Sequence, residues 1–201
     1  MNFFLKIAAW IFHPLLMPLL GVVLYFRITP RYVIPEVMYS KIIVVFILTF
    51  LIPILLFFLL KTMGLVKTIH LDDVKERKIP TVLQSLLILL IIRTVFHPHL
   101  YTELYAFFIG ILFSLITAFV LVSSKFKVSF HMMGIAGLTM FIIALSIHFK
   151  VNALWLIALL LFVNGWVASS RLHTKSHTPI ELVFGFFVGM FPQLILVNYW
   201  L

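Results

Sequence analysis

Cysteine is absent from the 201 residues of this sequence. Disulfide bonds, thiolate metal ligands and cysteine nucleophiles are therefore excluded, and any soft-ligand chemistry has to come from histidine. Acidic residues are scarce, with 6 Asp and Glu against 15 Lys and Arg, which gives a formal net charge of +9. Such an excess favours anionic lipid headgroups or phosphorylated substrates as partners. Nucleic acid is not expected, because the chain offers no basic soluble domain to hold a duplex.

Charged residues of either sign are few, at 10% of the chain, whereas hydrophobic residues make up 64%. This composition is typical of a membrane protein. Residues 42–60 contain no charge, and a helix of that length matches the thickness of a bilayer. No repeat or linker divides the chain. The sequence therefore predicts an all-α fold, a polytopic transmembrane helical bundle in which residues 1–201 form a single integral membrane domain.

Seven apolar segments are candidates for membrane spans, and six spans remain if one segment is re-entrant. The segments lie near 4–26, 41–60, 80–96, 104–122, 132–149, 153–169 and 180–200. Each is close to the roughly 17–25 residues that a spanning helix requires. The first segment resembles a signal peptide, but Pro14 and Pro18 interrupt it and no small-residue cleavage site follows before Arg27. We expect it to be a retained helix.

Three short segments, at 61–80, 123–131 and 169–181, hold most of the polarity. Two apolar segments separate each of them from the next, and two crossings return the chain to the same face of the membrane. The three polar segments are therefore predicted to share one face, where a common site becomes possible. The positive-inside rule alone would place this face in the cytoplasm, although an anion-binding site would produce the same excess of positive charge. Ten of the 15 basic residues fall on it: Lys6, Lys61, Lys67, Lys75, Arg77, Lys78, Lys125, Lys127, Arg171 and Lys175.

The third polar segment carries the most specific pattern. Ser170 and Arg171 are followed after five residues by His177 and after three more by Glu181, with Pro179 two residues beyond the histidine. This pattern resembles the third signature of the type 2 phosphatidic acid phosphatase superfamily, which usually has Asp at the position of Glu181. The resemblance implies that His177 attacks phosphorus, that Glu181 orients its ring and that Arg171 binds the phosphate. A carboxylate on one ring nitrogen leaves the lone pair of the other nitrogen available for attack.

The second polar segment ends in Ser129-Phe130-His131, where the family has Pro-Ser-Gly-His. Ser129 and His131 match, and Phe130 replaces the glycine. By resemblance, His131 is the general acid that protonates the leaving group, a transfer that typically contributes about 10²–10⁴-fold. Ser129 is expected to donate a hydrogen bond to a phosphate oxygen.

The first polar segment has basic residues without the spacing of the family. The position seven before Arg77 is His70 instead of lysine, and Pro80 follows Arg77 by three residues instead of one. We expect Arg77 to bind phosphate, with Lys75 second, because a guanidinium can bind two oxygens of a phosphoryl group at once. The resemblance covers residues 75–189, and the motif-bearing core covers about 61–201.

The resemblance implies a membrane lipid phosphatase that hydrolyses a lipid phosphate or diphosphate monoester through a phosphohistidine intermediate. Such an enzyme is a metal-independent hydrolase that requires no cofactor. Its partners are the lipid substrate and the bilayer, and no obligate protein partner is implied. Bacterial members of the family mostly act on the outer face, so the resemblance implies a multi-pass protein of the bacterial inner membrane with an extracytoplasmic active face. Nothing in the loops selects one lipid phosphate over another.

Two other interpretations apply to the third polar segment. Thr178, Pro179 and Glu181 also form the pattern of a helix capping box, which accounts for Glu181 without catalysis. His173, His177 and Glu181 are four residues apart and could place three metal ligands on one helix face. Pro179 argues against that helix, because it would remove a backbone hydrogen bond from the interior.

The alternative to an enzyme is a non-catalytic membrane protein, such as a transporter or a lipid-binding protein that uses the basic face to hold an anion. The incomplete first and second motifs favour this alternative. The remaining histidines near helix ends are expected to make ordinary interfacial or interhelical hydrogen bonds and are assigned no chemistry: His13, His97, His99 and His148.

Overall fold

The computed structural model describes residues 2–66 and 73–200, except for the side chains of Asn2 and Lys6. Lys67, predicted to lie on the basic face, and His70 are outside these residues. The described chain folds into α-helices with short 3₁₀ and π turns, and it contains no strand. The helices are α1 Asn2–Ile11, α2 Met17–Ile28, α3 Pro35–Phe46, α4 Ile52–Thr62, α5 Lys78–Thr94, α6 Thr102–Ser123, α7 Phe130–His148, α8 Leu154–His173 and α9 Pro179–Trp200.

Each of the seven predicted apolar segments coincides with helical structure. Within the described residues, five stretches are long and apolar enough to cross a membrane: Pro35–Thr62, α6, α7, α8 and α9. A sixth span results if the bent pair of helices at 3–11 and 14–28 is one crossing. The seventh segment is α5, whose 17 residues stand at the lower end of the roughly 17–25 that a span requires. The predicted all-α bundle is confirmed, and the chain is a multi-pass membrane protein.

The first apolar segment breaks at His13 and Pro14. The backbone of His13 is extended, with φ −64° and ψ 136°, and Pro14 begins a 3₁₀ turn that leads into α2. The ring Nδ1 of His13 accepts a hydrogen bond from the backbone N–H of Leu15 at 3.4 Å. A proline has no N–H to continue the preceding helix, so the two halves meet at an angle of 40°.

A π turn, Ile47–Leu51, joins α3 and α4 into one continuous helix. Its cause is Pro53, whose ring would clash with the carbonyl of Thr49 four residues earlier in a regular α-helix. The chain widens instead, and the N–H of Ile52 bonds to the carbonyl of Ile47 five residues back. The long helix therefore passes the proline without breaking.

The centre of the bundle is the contact between α7 and α9, which is the most extensive in the fold. Glycines allow the two backbones to approach closely, as small residues commonly do in membrane bundles. A Cβ on Gly185 would lie 2.6 Å from the carbonyl oxygen of Ser129, and one on Gly189 would clash with the carbonyl of Met133. This contact places the start of α7 beside the start of α9.

The opposite end of the bundle is held by Glu103, whose side chain is 1% exposed. Its carboxylate pairs with Arg31 at 2.6 Å and with His148 at 3.2 Å, and it accepts a hydrogen bond from the hydroxyl of Tyr25 at 3.2 Å. These contacts join α2, α6 and α7. His148 therefore has the interhelical role that the sequence predicted for it.

We expect Glu103→Ala to lower the free energy of unfolding by about 1–3 kcal/mol, because buried donors lose their acceptor. Thermal unfolding in detergent measures the change. Glu36→Ala is the matched control, since Glu36 is an exposed acid near the same end of the bundle. Equal melting temperatures for the two variants would contradict a structural role for Glu103.

Candidate active site

A cavity of about 550 Å³ gathers residues from all three polar segments. Arg77, His131, Arg171 and His177 line one part of its wall, together with His13. No Asp or Glu of the described chain is among the lining residues, and most of the remaining wall is apolar. The cavity thus combines a cationic end with a hydrocarbon-like interior. We call the five side chains its basic end.

His177 lies in the turn between α8 and α9 and is 8% exposed. Its Nδ1 lies 2.9 Å from Oε2 of Glu181. Because a carboxylate only accepts, Nδ1 carries the proton, and the lone pair of the neutral ring is on Nε2. The arrangement is the one expected for an imidazole that attacks through Nε2.

Glu181 also closes the capping box. Its Oε2 accepts the N–H of Thr178 at 3.1 Å, and Oγ1 of Thr178 accepts the N–H of Glu181 at 3.4 Å. The two interpretations of Glu181 are therefore compatible, since one carboxylate both caps α9 and holds the ring of His177. The helix start fixes the carboxylate, and the carboxylate fixes the imidazole.

Burial lowers the pKa of His177 to about 4. The hydrogen bond to Glu181 acts in the opposite direction, and the positive charges of Arg77 and Arg171 lower the pKa further. The folded protein therefore holds this ring neutral at pH 7, as nucleophilic attack requires.

Arg77 is 5% exposed and ends the 3₁₀ turn Val74–Arg77 that precedes α5. Its Nη1 donates to the carbonyl of Val128 at 3.1 Å, and its guanidinium lies 5.6 Å from the ring centroid of Phe130. Phe130, the residue that replaces the glycine of the family pattern, thus supports a cation through its ring face. Arg171, in the last turn of α8, lies on the same cavity wall.

His131 is in the first turn of α7, and its Nε2 lies 3.1 Å from the carbonyl oxygen of Ala9. Since a carbonyl only accepts, Nε2 donates, and Nδ1 is the nitrogen that can exchange a proton with a ligand. The hydrogen bond also joins α7 to α1. The ring of His13 packs edge to face against His131, with 5.5 Å between centroids.

Two predicted phosphate ligands do not line the cavity. Ser129 is fully buried and caps α7, with its Oγ accepting the N–H of Met132 at 3.5 Å. Lys75 is exposed, and its backbone N–H binds Oδ1 of Asp73. The hydroxyl of Ser129 serves the helix terminus, and Lys75 lies on the outer side of its turn. The structure therefore does not bring either side chain to the basic end.

The metal interpretation requires one helix through His173, His177 and Glu181. Instead α8 ends at His173, which is exposed, and α9 begins at Pro179. The described part of the chain contains no group of three or more side chains suited to hold a metal ion. The three candidate ligands are thus separated by a turn.

His13 is the residue of the basic end that sequence reasoning missed. A signal was present, because a histidine followed by proline in the middle of an apolar segment marks a break where backbone and side chain need partners. By sequence alone, His13 belongs with the histidines expected to make ordinary interfacial or interhelical hydrogen bonds. His13 and His131 are far apart in the sequence, but their rings lie 5.5 Å apart in the structure.

No protein-family model matches the chain, and no curated protein and no solved structure matches it either.

We expect the ring of His177 to titrate near pH 4 in the folded protein, against an ordinary value of about 6.5. Between these values the unfolded chain binds a proton that the folded chain does not, so acidification from pH 6.5 to 4 lowers stability. Histidine-selective NMR in detergent micelles measures the midpoint, and His177→Gln identifies the signal by its loss. A midpoint near 6.5 would contradict the burial argument.

Proposed function

We propose that this protein is a metal-independent membrane lipid phosphatase of the type 2 phosphatidic acid phosphatase superfamily, acting through a phosphohistidine intermediate. The observation that carries the proposal is the cavity whose wall brings together two guanidinium groups and His177, the ring that Glu181 holds by a hydrogen bond. The partial signature of the sequence and this geometry together support the proposal. Both point to a phosphoryl group as the ligand of the basic end.

In the proposed reaction, Arg77 and Arg171 bind the phosphoryl oxygens and hold the phosphorus in line with Nε2 of His177. Nε2 forms a bond to phosphorus while the bond from phosphorus to the lipid oxygen breaks. His131 enters this step as the imidazolium, with a proton on each ring nitrogen, and the departing oxygen takes the proton from Nδ1. Water then attacks the phosphohistidine, His131 recovers a proton from that water, and inorganic phosphate leaves with His177 neutral again.

The apolar part of the cavity supports a lipid as the substrate. Below the basic end, its wall is formed by side chains of the π turn, α4 and α5, including Phe50, Ile54, Phe57, Leu83 and Leu87. A soluble phosphate ester would leave this surface in contact with water, whereas a hydrocarbon tail would cover it. The cavity therefore fits an amphiphile with an anionic head better than a polar metabolite.

We expect purified protein to release inorganic phosphate from a panel of lipid phosphates and diphosphates, and His177→Ala to abolish the release. His131→Asn should reduce kcat by about 10²–10⁴-fold, because the leaving group loses its acid. His99→Ala, which changes an exposed histidine outside the cavity, is the matched control. Turnover that survives His177→Ala would overturn the mechanism.

A second candidate function, a non-catalytic carrier or binder of lipid phosphates, is favoured by one observation. Ser129 and Lys75, two of the predicted phosphate ligands, stay out of the cavity. The same substrate panel separates the two functions. Binding of lipid phosphates without release of phosphate would replace the enzyme with this alternative.

We further propose that the protein lies in a bacterial inner membrane with its basic end on the extracytoplasmic side, as the family resemblance implies. Helix α9 leads away from His177, so a reporter fused after Trp200 lies on the other side of the membrane. We expect a fluorescent protein fused there to fold and fluoresce in the cytoplasm. Activity of an alkaline phosphatase reporter at that position would instead place the basic end in the cytoplasm, as charge counting alone suggests.

A further inference from the structure

The break in the first apolar segment brings a third imidazole to the basic end. His13 lines the cavity with Arg171 and His177, and its ring contacts that of His131. It belongs to none of the three polar segments. Its position depends on the extended backbone that Pro14 forces on the chain between α1 and the 3₁₀ turn.

The tautomer of His13 follows from its own cap. Nδ1 accepts the N–H of Leu15, so the neutral ring carries its proton on Nε2. No residue of the described chain forms a hydrogen bond with this Nε2–H. The ring is therefore fixed on its Nδ1 side and presents an unused donor on its Nε2 side.

The basic end is short of neutral donors. Ser129, the hydroxyl expected to bind a phosphate oxygen, instead caps α7 and is absent from the cavity wall. Nε2 of His131 is engaged by the carbonyl of Ala9. An N–H from His13 is the remaining imidazole donor on this wall, because the neutral ring of His177 presents its Nε2 lone pair.

We propose that His13 is a phosphate-binding residue, which donates its Nε2–H to a non-bridging oxygen of the bound phosphoryl group. This inference rests on the proposed function, because it names a further ligand of the same phosphate. It assigns α1 and the 3₁₀ turn to the substrate site. The break in the helix then serves to aim one ring at the anion.

Two substitutions separate phosphate binding from helix capping. Asparagine retains an acceptor close to the position of Nδ1, so His13→Asn keeps the cap and removes the distal donor. Glutamine places an amide N–H close to the position of Nε2, so His13→Gln keeps the donor and loses the cap. His99→Ala is the control, since this exposed histidine lies outside the cavity.

The experiment measures orthovanadate affinity from thermal stabilisation in detergent, together with KM and kcat for a lipid phosphate. We expect His13→Asn to weaken vanadate binding by about 10- to 100-fold, the usual effect of losing one hydrogen bond to a charged group. His13→Gln should bind within a few-fold of wild type despite a lower melting temperature without the anion. KM should follow the vanadate affinity in both variants.

The reverse pattern, with binding lost in His13→Gln and kept in His13→Asn, would assign His13 to capping alone and overturn the inference. Unchanged KM and vanadate affinity in His13→Asn, in a protein that turns over substrate, would overturn it while leaving the phosphatase intact. Wild-type protein that binds vanadate but releases no phosphate would overturn the phosphatase. Loss of that binding in His13→Asn would then still support His13 as an anion ligand.

Discussion

The close contact between α7 and α9 is the constraint on which the rest of the structure depends. Gly185 and Gly189 remove the side chains that would separate the two backbones, and the N–H of Ser129 donates to the carbonyl of Glu181 at 3.3 Å. Because both helices begin at this contact, His131 at the start of α7 and His177 just before α9 face one cavity. A side chain at either glycine would part the two helices and separate the imidazoles with them.

The positive side chains of the basic end need polar or aromatic partners, because unpaired charge inside a membrane is energetically costly. Arg77 donates to the carbonyl of Val128 and rests over Phe130, while Glu181 is the carboxylate nearest to His177. Burial keeps that histidine neutral at pH 7. The two guanidinium groups are fixed positive charges, and the proposed function gives them the oxygens of a phosphoryl group to bind.

Long-range organisation was predictable from the sequence, whereas side-chain direction was not. Hydropathy gave the seven segments because span length is set by the bilayer, and counting crossings predicted that Arg77, His131 and His177 would share a face. Sequence spacing does not show where a side chain points. It therefore could not predict that the hydroxyl of Ser129 caps its own helix or that the amine of Lys75 lies outside the cavity. The role of His13 was hidden for the same reason, since its partner His131 is distant in sequence and meets it only through tertiary packing.

The two ends of the bundle differ in packing, and this difference bears on how a lipid could enter. At one end Glu103 joins α2, α6 and α7 by buried polar contacts. Beside the basic end, the long helix Pro35–Thr62 forms part of the cavity wall. Only 17% of its most apolar stretch of 18 residues is buried, against 61% for the corresponding stretch of α7. Phe50, Ile54 and Phe57 of the long helix line the cavity. A wall with few packing contacts costs less free energy to displace than the core does. For the proposed lipid substrate, we therefore expect the hydrocarbon tail to enter from the bilayer past this helix.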